Sequence, residues 1–112
     1  MTICEAGDVA IVPFPFTDMA VAKPRPALVL SAQKANGESG NTIFAMITTA
    51  VKSHWPTDVP LADVDAAGLT AASLVRLKLF TLDNRLVARK IGTLSPRDRG
   101  AVRKMLRAVV GV

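Results

Sequence analysis

The sequence predicts a mainly β, barrel-like domain that ends in an α-helix, and three observations carry that expectation. Short runs rich in Val, Ile, Leu and Phe recur along the chain, each bounded by Gly, Pro, Asn or Asp, as strands tend to be. Residues 73–81 alternate apolar and basic side chains with the period of two that gives a strand two unlike faces. The final stretch changes to helical spacing behind a serine suited to cap it. Strands first and a helix last argue for an all-β or α+β barrel, not a parallel α/β fold. With 112 residues the chain forms one domain, residues 1–112, and no repeat, low-complexity tract or linker divides it.

The elements follow in order. Gly7-Asp8 opens a first strand over residues 9–16, and residues 17–24 make a loop. A second strand covers 26–31. Residues 33–40, with Asn36-Gly37 and Ser39-Gly40, read as a flexible turn. A third strand spans 42–49; behind Ser53-His54-Trp55-Pro56 a short strand over 58–61 leads into 62–72, a turn with a short helical piece. In the strand 73–81, Val75, Leu77 and Leu79 fall on one face and Arg76 and Lys78 on the other. Such a strand either floors a groove for phosphates or shows an ordinary solvated face, and alternation alone does not separate the two. Residues 86–94 complete the strand set. Ser95 is a good N-cap, Pro96 suits the first helical position, and Asp98 completes what resembles a capping box. Val102, Met105, Leu106 and Val109 then form an i, i+3, i+4, i+7 stripe, with Arg99, Arg103 and Arg107 on a flank that reads as a solvated face.

Composition excludes several classes. Hydrophobic residues make up 50% of the chain and the mean hydropathy is +0.33, high for a small soluble monomer, as when apolar surface is shared with a second subunit. Pro13, Pro15 and Asp18 interrupt the richest apolar run, so no membrane span is expected. Glu5 and Asp8 stand where a signal peptide would carry a basic leader, and the expected compartment is the cytoplasm. One cysteine, Cys4, rules out an internal disulfide framework and a cysteine-rich metal site. Lys and Arg number 14 against 9 Asp and Glu, a net charge of +5 that favours polyanionic partners, either nucleic acid or an acidic protein segment. His54 is the only histidine, which excludes a paired-histidine ribonuclease mechanism. The carboxylates are scattered, Asp63 and Asp65 fall in a turn, and nothing resembles a two-metal nuclease site, so no metal or cofactor is expected. Trp55 reads as a packed anchor, with base stacking by Trp55 or Phe16 as the alternative.

Three segments, in order and at their spacing, resemble the MazF/PemK-type toxin family. They are Gly7-Asp8-Val9-Ala10-Ile11-Val12-Pro13-Phe14-Pro15-Phe16-Thr17-Asp18, then Arg25-Pro26-Ala27-Leu28-Val29-Leu30-Ser31, then Lys78-Leu79-Phe80-Thr81-Leu82-Asp83 with Arg89-Lys90-Ile91-Gly92-Thr93-Leu94-Ser95. Met46-Ile47-Thr48-Thr49 falls where the family's third strand ends in a hydroxyl residue. The resemblance spans Gly7 to the final helix. It implies an SH3-like β-barrel of the CcdB/MazF/PemK type with a C-terminal α-helix, a homodimer, and the toxin role in a type II toxin–antitoxin system. The implied activity is an endoribonuclease that cuts single-stranded RNA without metal, and the implied partner is a cognate antitoxin with an acidic tail.

Metal-free cleavage uses the substrate's own 2′-hydroxyl against the adjacent phosphorus, leaving a 2′,3′-cyclic phosphate and a 5′-hydroxyl end. It needs a base, charge stabilisation for the phosphorane oxygens, and a proton for the leaving oxygen. The resemblance makes Arg25 the catalytic cation, its planar fork matched to two phosphate oxygens, and Thr48 the catalytic hydroxyl, with Thr49 as its neighbouring alternative. Asp18 is the only carboxylate of the first loop and either orients Arg25, acts as base, or caps the turn. Lys23, Thr49, Arg76 and Lys78 are the expected RNA-binding groups. The chain departs from the family pattern in two places: Met19-Ala20-Val21-Ala22 lacks the loop glutamate of some relatives, and Lys78 stands where others carry an acid. The alternative function is a non-catalytic relative on the same fold that binds a protein, either a gyrase-poisoning toxin resembling CcdB or a degenerate antitoxin-binding module.

Overall fold

Alternating β-branched and aromatic residues build six antiparallel strands, and their pairing places every functional side chain. The structure, a computed structural model, describes residues 2–14, 23–49 and 53–112. The strands are β1 (Asp8–Pro13), β2 (Pro24–Val29), β3 (Asn41–Thr48), β4 (Val59–Pro60), β5 (Leu74–Asp83) and β6 (Arg89–Thr93). Helix α1 (Gln33–Ser39) joins β2 to β3, a single 3-10 turn (Asn84–Leu86) follows β5, and α2 (Pro96–Val109) ends the fold. The strands form one curled sheet in the order β4-β5-β3-β2-β1-β6. This is the mainly β fold with a C-terminal helix expected from the sequence.

Side-chain alternation divides the interior in two. One face of the sheet, with Val9, Leu28, Ala45, Ile47, Val75 and Leu77, is roofed by α2 through buried Val102, and Met105 and Leu106 pack against it. The other face carries Cys4, Ala10, Val12, Phe14, Ala27, Val29, Phe44 and Phe80. There Phe80 stacks on Phe44 with centroids 5.5 Å apart and meets Phe14 edge-on at 5.6 Å, both favourable ring geometries. In the β3–β5 ladder Ala45 pairs with Leu79 but Met46 pairs with Arg76, so Leu77 and Lys78 are extra residues on β5. Because two residues are inserted, not one, the alternation predicted for this strand survives the irregularity.

Residues 61–72 cross the sheet beside β6. Thr93 N donates to Ala66 O at 3.0 Å and Leu61 N to Ser73 O at 3.0 Å. The crossing depends on two glycines. Gly68 has φ +75°, and a Cβ on Gly92 would lie against the Ala67–Gly68 backbone, 2.6 Å from Gly68 N. The segment consists of turns and bends, without the short helical piece expected there. Turn bonds within it run from Gly68 N to Asp65 O and from Leu69 N to Val64 O, both at 3.0 Å, and Asp98 accepts from Ala62 N at 2.9 Å and Asp63 N at 2.8 Å. Ser95 caps α2 as expected, its side chain accepting from Asp98 N at 3.2 Å. Asp98 is spent on residues 62 and 63 and does not reach back as a capping box would.

The larger departure is α1, where a turn was expected. Local signals favoured a turn, since Asn and Gly are poor inside helices, and Ala32 supplies no side-chain cap. Tertiary hydrogen bonds override them. Fully buried Asn36 donates to Cys4 O at 2.9 Å and Ser31 O at 3.1 Å, and accepts from Ser31 Oγ. Asn84 donates to Asn36 O at 2.8 Å and accepts from Thr42 Oγ1 at 2.7 Å. Of the expected turn, the left-handed stop remains: Gly40, at φ +74°, ends the helix.

Gly92→Ala should force the crossing apart and lower stability by about 1–3 kcal/mol, the scale of overpacking. Gly100→Ala, inside α2 with open space around its Cβ, should raise stability by about 0.4–1 kcal/mol. Urea unfolding midpoints of the two variants should move in opposite directions; equal midpoints would mean that the crossing is not tight.

Candidate functional site

Cross-strand register brings the two expected catalytic residues together. Ala27 pairs with Met46 and Leu28 with Ala45, and alternation along each strand puts Arg25 and Thr48, two residues beyond the Ala27–Met46 pair, on the same face. Thr48 in turn pairs with Leu74, and Leu74 with Pro60. A row Thr48–Leu74–Pro60 therefore crosses three strands on the face away from α2, the face that also holds Arg25, Ala27, Met46 and Arg76.

Arg25 sits where its backbone is constrained. It is the second residue of β2, paired with Val12, between Pro24 and Pro26. A residue before proline is held in the extended region, so this arginine projects from a strand. Its side chain is exposed, as are those of Lys23 and Thr49, while Thr48 and Lys78 are half-buried. Phe14 N donates to Lys23 O at 3.3 Å and closes the base of the first loop. Asp18 lies outside the described residues.

Arg76 is placed differently from its expected role as an open phosphate ligand. It is 5% exposed and its guanidinium is engaged by protein. Nε and Nη2 donate to the two oxygens of Asp58 at 3.0 and 2.8 Å, Nη1 donates to Ser53 Oγ at 3.0 Å, and Nη2 to Ser53 O at 3.3 Å. Its Cζ lies 5.1 Å from the Trp55 ring centroid, and Asp58 also accepts from Trp55 N at 2.9 Å. The hydrogen bonds from Arg76 hold the Asp58 carboxyl below its ordinary pKa of 3.8, and the same contact raises that of Arg76. Among the described residues this uses four of the five guanidinium N–H groups. Asp58 was not singled out from the sequence; its alternation with Val59 puts it on the Arg76 face, a signal readable only once the β4–β5 register is known.

A cavity of about 200 Å³ opens beside Thr48, lined by Thr48, Thr49, Pro60, Ala72, Ser73 and Leu74. Among the described residues no group of three or more His, Cys, Asp or Glu side chains stands ready to hold a metal ion. His54 is exposed in the turn beside Trp55. What the geometry brings together is a fork-shaped cation, a hydroxyl and a flanking cavity on one face of the sheet.

The family model for PemK-like, MazF-like toxins of type II toxin–antitoxin systems matches residues 5–110. No sequence among the curated proteins matches the chain. Among solved structures, a MazF from Deinococcus radiodurans is 25% identical, with all of both chains covered and a TM-score of 0.76. A MazE–MazF complex from the same organism is 24% identical over 99% of each chain, with a TM-score of 0.78. A mycobacterial endoribonuclease in complex with its cognate antitoxin is 18% identical over 100% of this chain and 97% of its own, with a TM-score of 0.77.

Asp58→Ala should leave a buried guanidinium without its counter-charge and cost about 3–5 kcal/mol. A carboxyl whose folded pKa is lowered contributes stability that is whole above its ordinary value of 3.8 and drains as pH falls toward the folded value. The wild-type protein should therefore lose this contribution on the acid side of 3.8, and the Ala variant should lack that part of the slope. Denaturation across that pH range reads both; an unchanged acid slope would remove Asp58 from the account.

Proposed function

The chain belongs to the PemK-like, MazF-like toxin family of type II toxin–antitoxin systems, and from that premise we propose that it is a metal-independent endoribonuclease acting on single-stranded RNA. The observation that supports the proposal is that β2 and β3 are paired neighbours whose alternation puts Arg25 and Thr48 on one face at the same end of the sheet. The attacking 2′-oxygen forms its bond to phosphorus while the bond to the 5′-oxygen breaks. The 2′-hydroxyl proton leaves to a base and the 5′-oxygen gains a proton, giving a cyclic phosphate and a 5′-hydroxyl end. Arg25 meets two equatorial oxygens of the phosphorane, and Thr48 donates to the oxygen on which charge develops. Both groups are set on strands before the substrate arrives, which lowers the reorganisation needed at the moment of reaction. Thr48 does not shuttle protons unaided; Asp18 is the carboxylate we assign to orienting Arg25 or to proton transfer.

Lys23, Thr49 and Lys78 are assigned to the flanking phosphates. Arg76, buried and paired with Asp58, is not assigned to a phosphate; it holds residues 53–58 in place. The net charge of +5 suits both RNA and the acidic segment of a cognate antitoxin. A homodimer accords with Ile43 and Leu79, large apolar side chains 43% and 41% exposed and close neighbours on the α2 side of β3 and β5. Sedimentation at micromolar concentration should give twice the chain mass of 11.8 kDa, and a clean monomer would count against the dimer.

Cleavage of single-stranded RNA should persist in excess chelator, and replacing the 2′-hydroxyl upstream of the cut by hydrogen should abolish it. Arg25→Ala and Thr48→Ala should each fold normally yet lower cleavage by about a hundredfold or more, the scale of losing an oxyanion donor. Arg25→Lys should rescue poorly, because an ammonium lacks the bidentate fork. Intact RNA together with inhibited DNA gyrase would favour a protein-binding poison instead, and a requirement for divalent metal would end the mechanism.

A further inference from the structure

Resting on the reading of an acidic partner above, we propose that the groove between α2 and the ends of β1 and β2 docks an acidic peptide segment of a partner protein, on the face of the sheet opposite Arg25 and Thr48. Two cations without a counter-charge mark the place. The side chains of Arg99 and Arg103 make no ion pair or hydrogen bond among the described residues. Arg99 is half-buried and gives up part of its hydration without gaining a partner. Its stem lies against Gly7, so closely that a Cβ there would come within 3.3 Å of Nε. The acids on that wall are engaged elsewhere. Glu5 accepts through Oε1 from Ala6 N at 2.8 Å and Gln33 N at 3.1 Å, and Asp8 pairs with Lys90 at 3.1 Å.

Charge is half of the description. The two arginines stand over a cavity of about 260 Å³ whose apolar lining includes Leu28, Leu30, Leu94, Val102 and Leu106. That volume equals about nine waters at ~30 Å³ each, room for one or two aliphatic side chains. A phosphodiester backbone gains little from such walls, whereas a peptide that alternates acidic and apolar residues uses both features. The spacing agrees. Arg99 and Arg103, one turn apart on α2, are separated by about 6 Å along the axis. Carboxylates at alternate positions of an extended chain lie ~6.6 Å apart on one side, and the residues between them point the other way. A segment lying along α2 thus turns its acids to the two guanidinium forks, as charge-assisted pairs, and its apolar side chains to Leu28 and Leu30. Leu28 belongs to the face under α2, and Arg25 and Thr48 to the other. A partner seated here holds the protein and leaves the catalytic face open.

The test uses the full chain and a short fluorescent peptide, capped at both ends, in which Glu and Leu alternate. By fluorescence anisotropy the wild-type protein should bind it about tenfold or more tightly than a Glu–Ser counterpart, the scale of burying one aliphatic side chain. Arg99→Glu combined with Arg103→Glu should cost a similar factor and move the preference to a Lys–Leu peptide. Thermal melts, sedimenting mass and affinity for an uncleavable RNA should stay those of the wild type, and saturating peptide should leave wild-type RNA cleavage unchanged. If the double variant does not fold, Arg103→Glu alone, at an exposed residue, decides through the same change of preference. Glu–Leu binding that survives these reversals overturns the groove and leaves an acidic partner standing, whereas no binding by the wild type overturns both. An altered sedimenting mass makes the groove a contact between copies, and weakened RNA binding makes it a nucleic-acid surface. Either result overturns the proposal, as does cleavage blocked by the peptide.

Discussion

The ladder between β3 and β5 is the constraint on which the rest of the structure depends. It runs from Asn41 opposite Asp83 to Thr48 opposite Leu74, and both strands pair again on their outer sides, β3 with β2 and β5 with β4. Since side chains alternate with a period of two, fixing this one register assigns every residue of four strands to a face. It sends Ala45, Ile47 and Val75 under α2 and brings Phe44 and Phe80 together on the other side. It also decides the chemistry. A slip of β5 by one residue would drive the Arg76 guanidinium into the apolar layer beneath α2, and a slip of β3 would turn Thr48 toward that layer.

The Asp58–Arg76 pair secures what the ladder leaves loose. β4 has only two residues, too few to hold a strand edge by backbone pairing alone. The ion pair, with side chains 7% and 1% exposed, ties the approach to β4 onto β5 through side chains instead. Its desolvation penalty makes it a weak source of net stability. What it contributes is position: four hydrogen bonds from one rigid fork fix Ser53 and Asp58, and Trp55 covers the fork from outside. By contrast, the exposed Asp83–Arg85 pair joins residues two apart on one turn. It lowers the Asp83 pKa to about 2 yet ties no separate parts of the chain together.

Where the sequence was legible, the reason is local periodicity. Strand 73–81 announced itself through alternation, and the capped start of α2 through Ser95 and Pro96, because both signals arise within a few residues of one another. Helix α1 was not legible: the decisive partners of Asn36 are Cys4, Ser31 and Asn84, and no window of local sequence contains them. The site was legible in its residue types but not in its geometry. Arg25 and Thr48 were named through resemblance, whereas their shared face follows from the pairing of β2 with β3. The Arg76 side chain was assigned to the correct face, and its burial escaped notice because the carboxylate that claims it lies 18 residues earlier. The cavity beside Thr48 had no signature at all, since Ala, Ser, Thr, Leu and Pro side chains carry no distinctive chemistry until three strands gather them.

The location of this row in the sheet explains how one small domain can be both stable and open to a polymer. One step inward, the row containing Ala27, Met46 and Arg76 already belongs to the packed interior. One step outward, the described strands end. Arg25, Thr48 and Leu74 therefore have rigid backbone behind them and accessible side chains in front, the arrangement that a preorganised site requires. Pro24 and Pro26 extend the logic to the cation. They remove backbone donors at positions beside Arg25, and Pro26 confines Arg25 to the extended region. The guanidinium thus swings on its own side chain from an anchored Cα, not on a mobile loop. Position comes from the strand, and reach from four side-chain torsions.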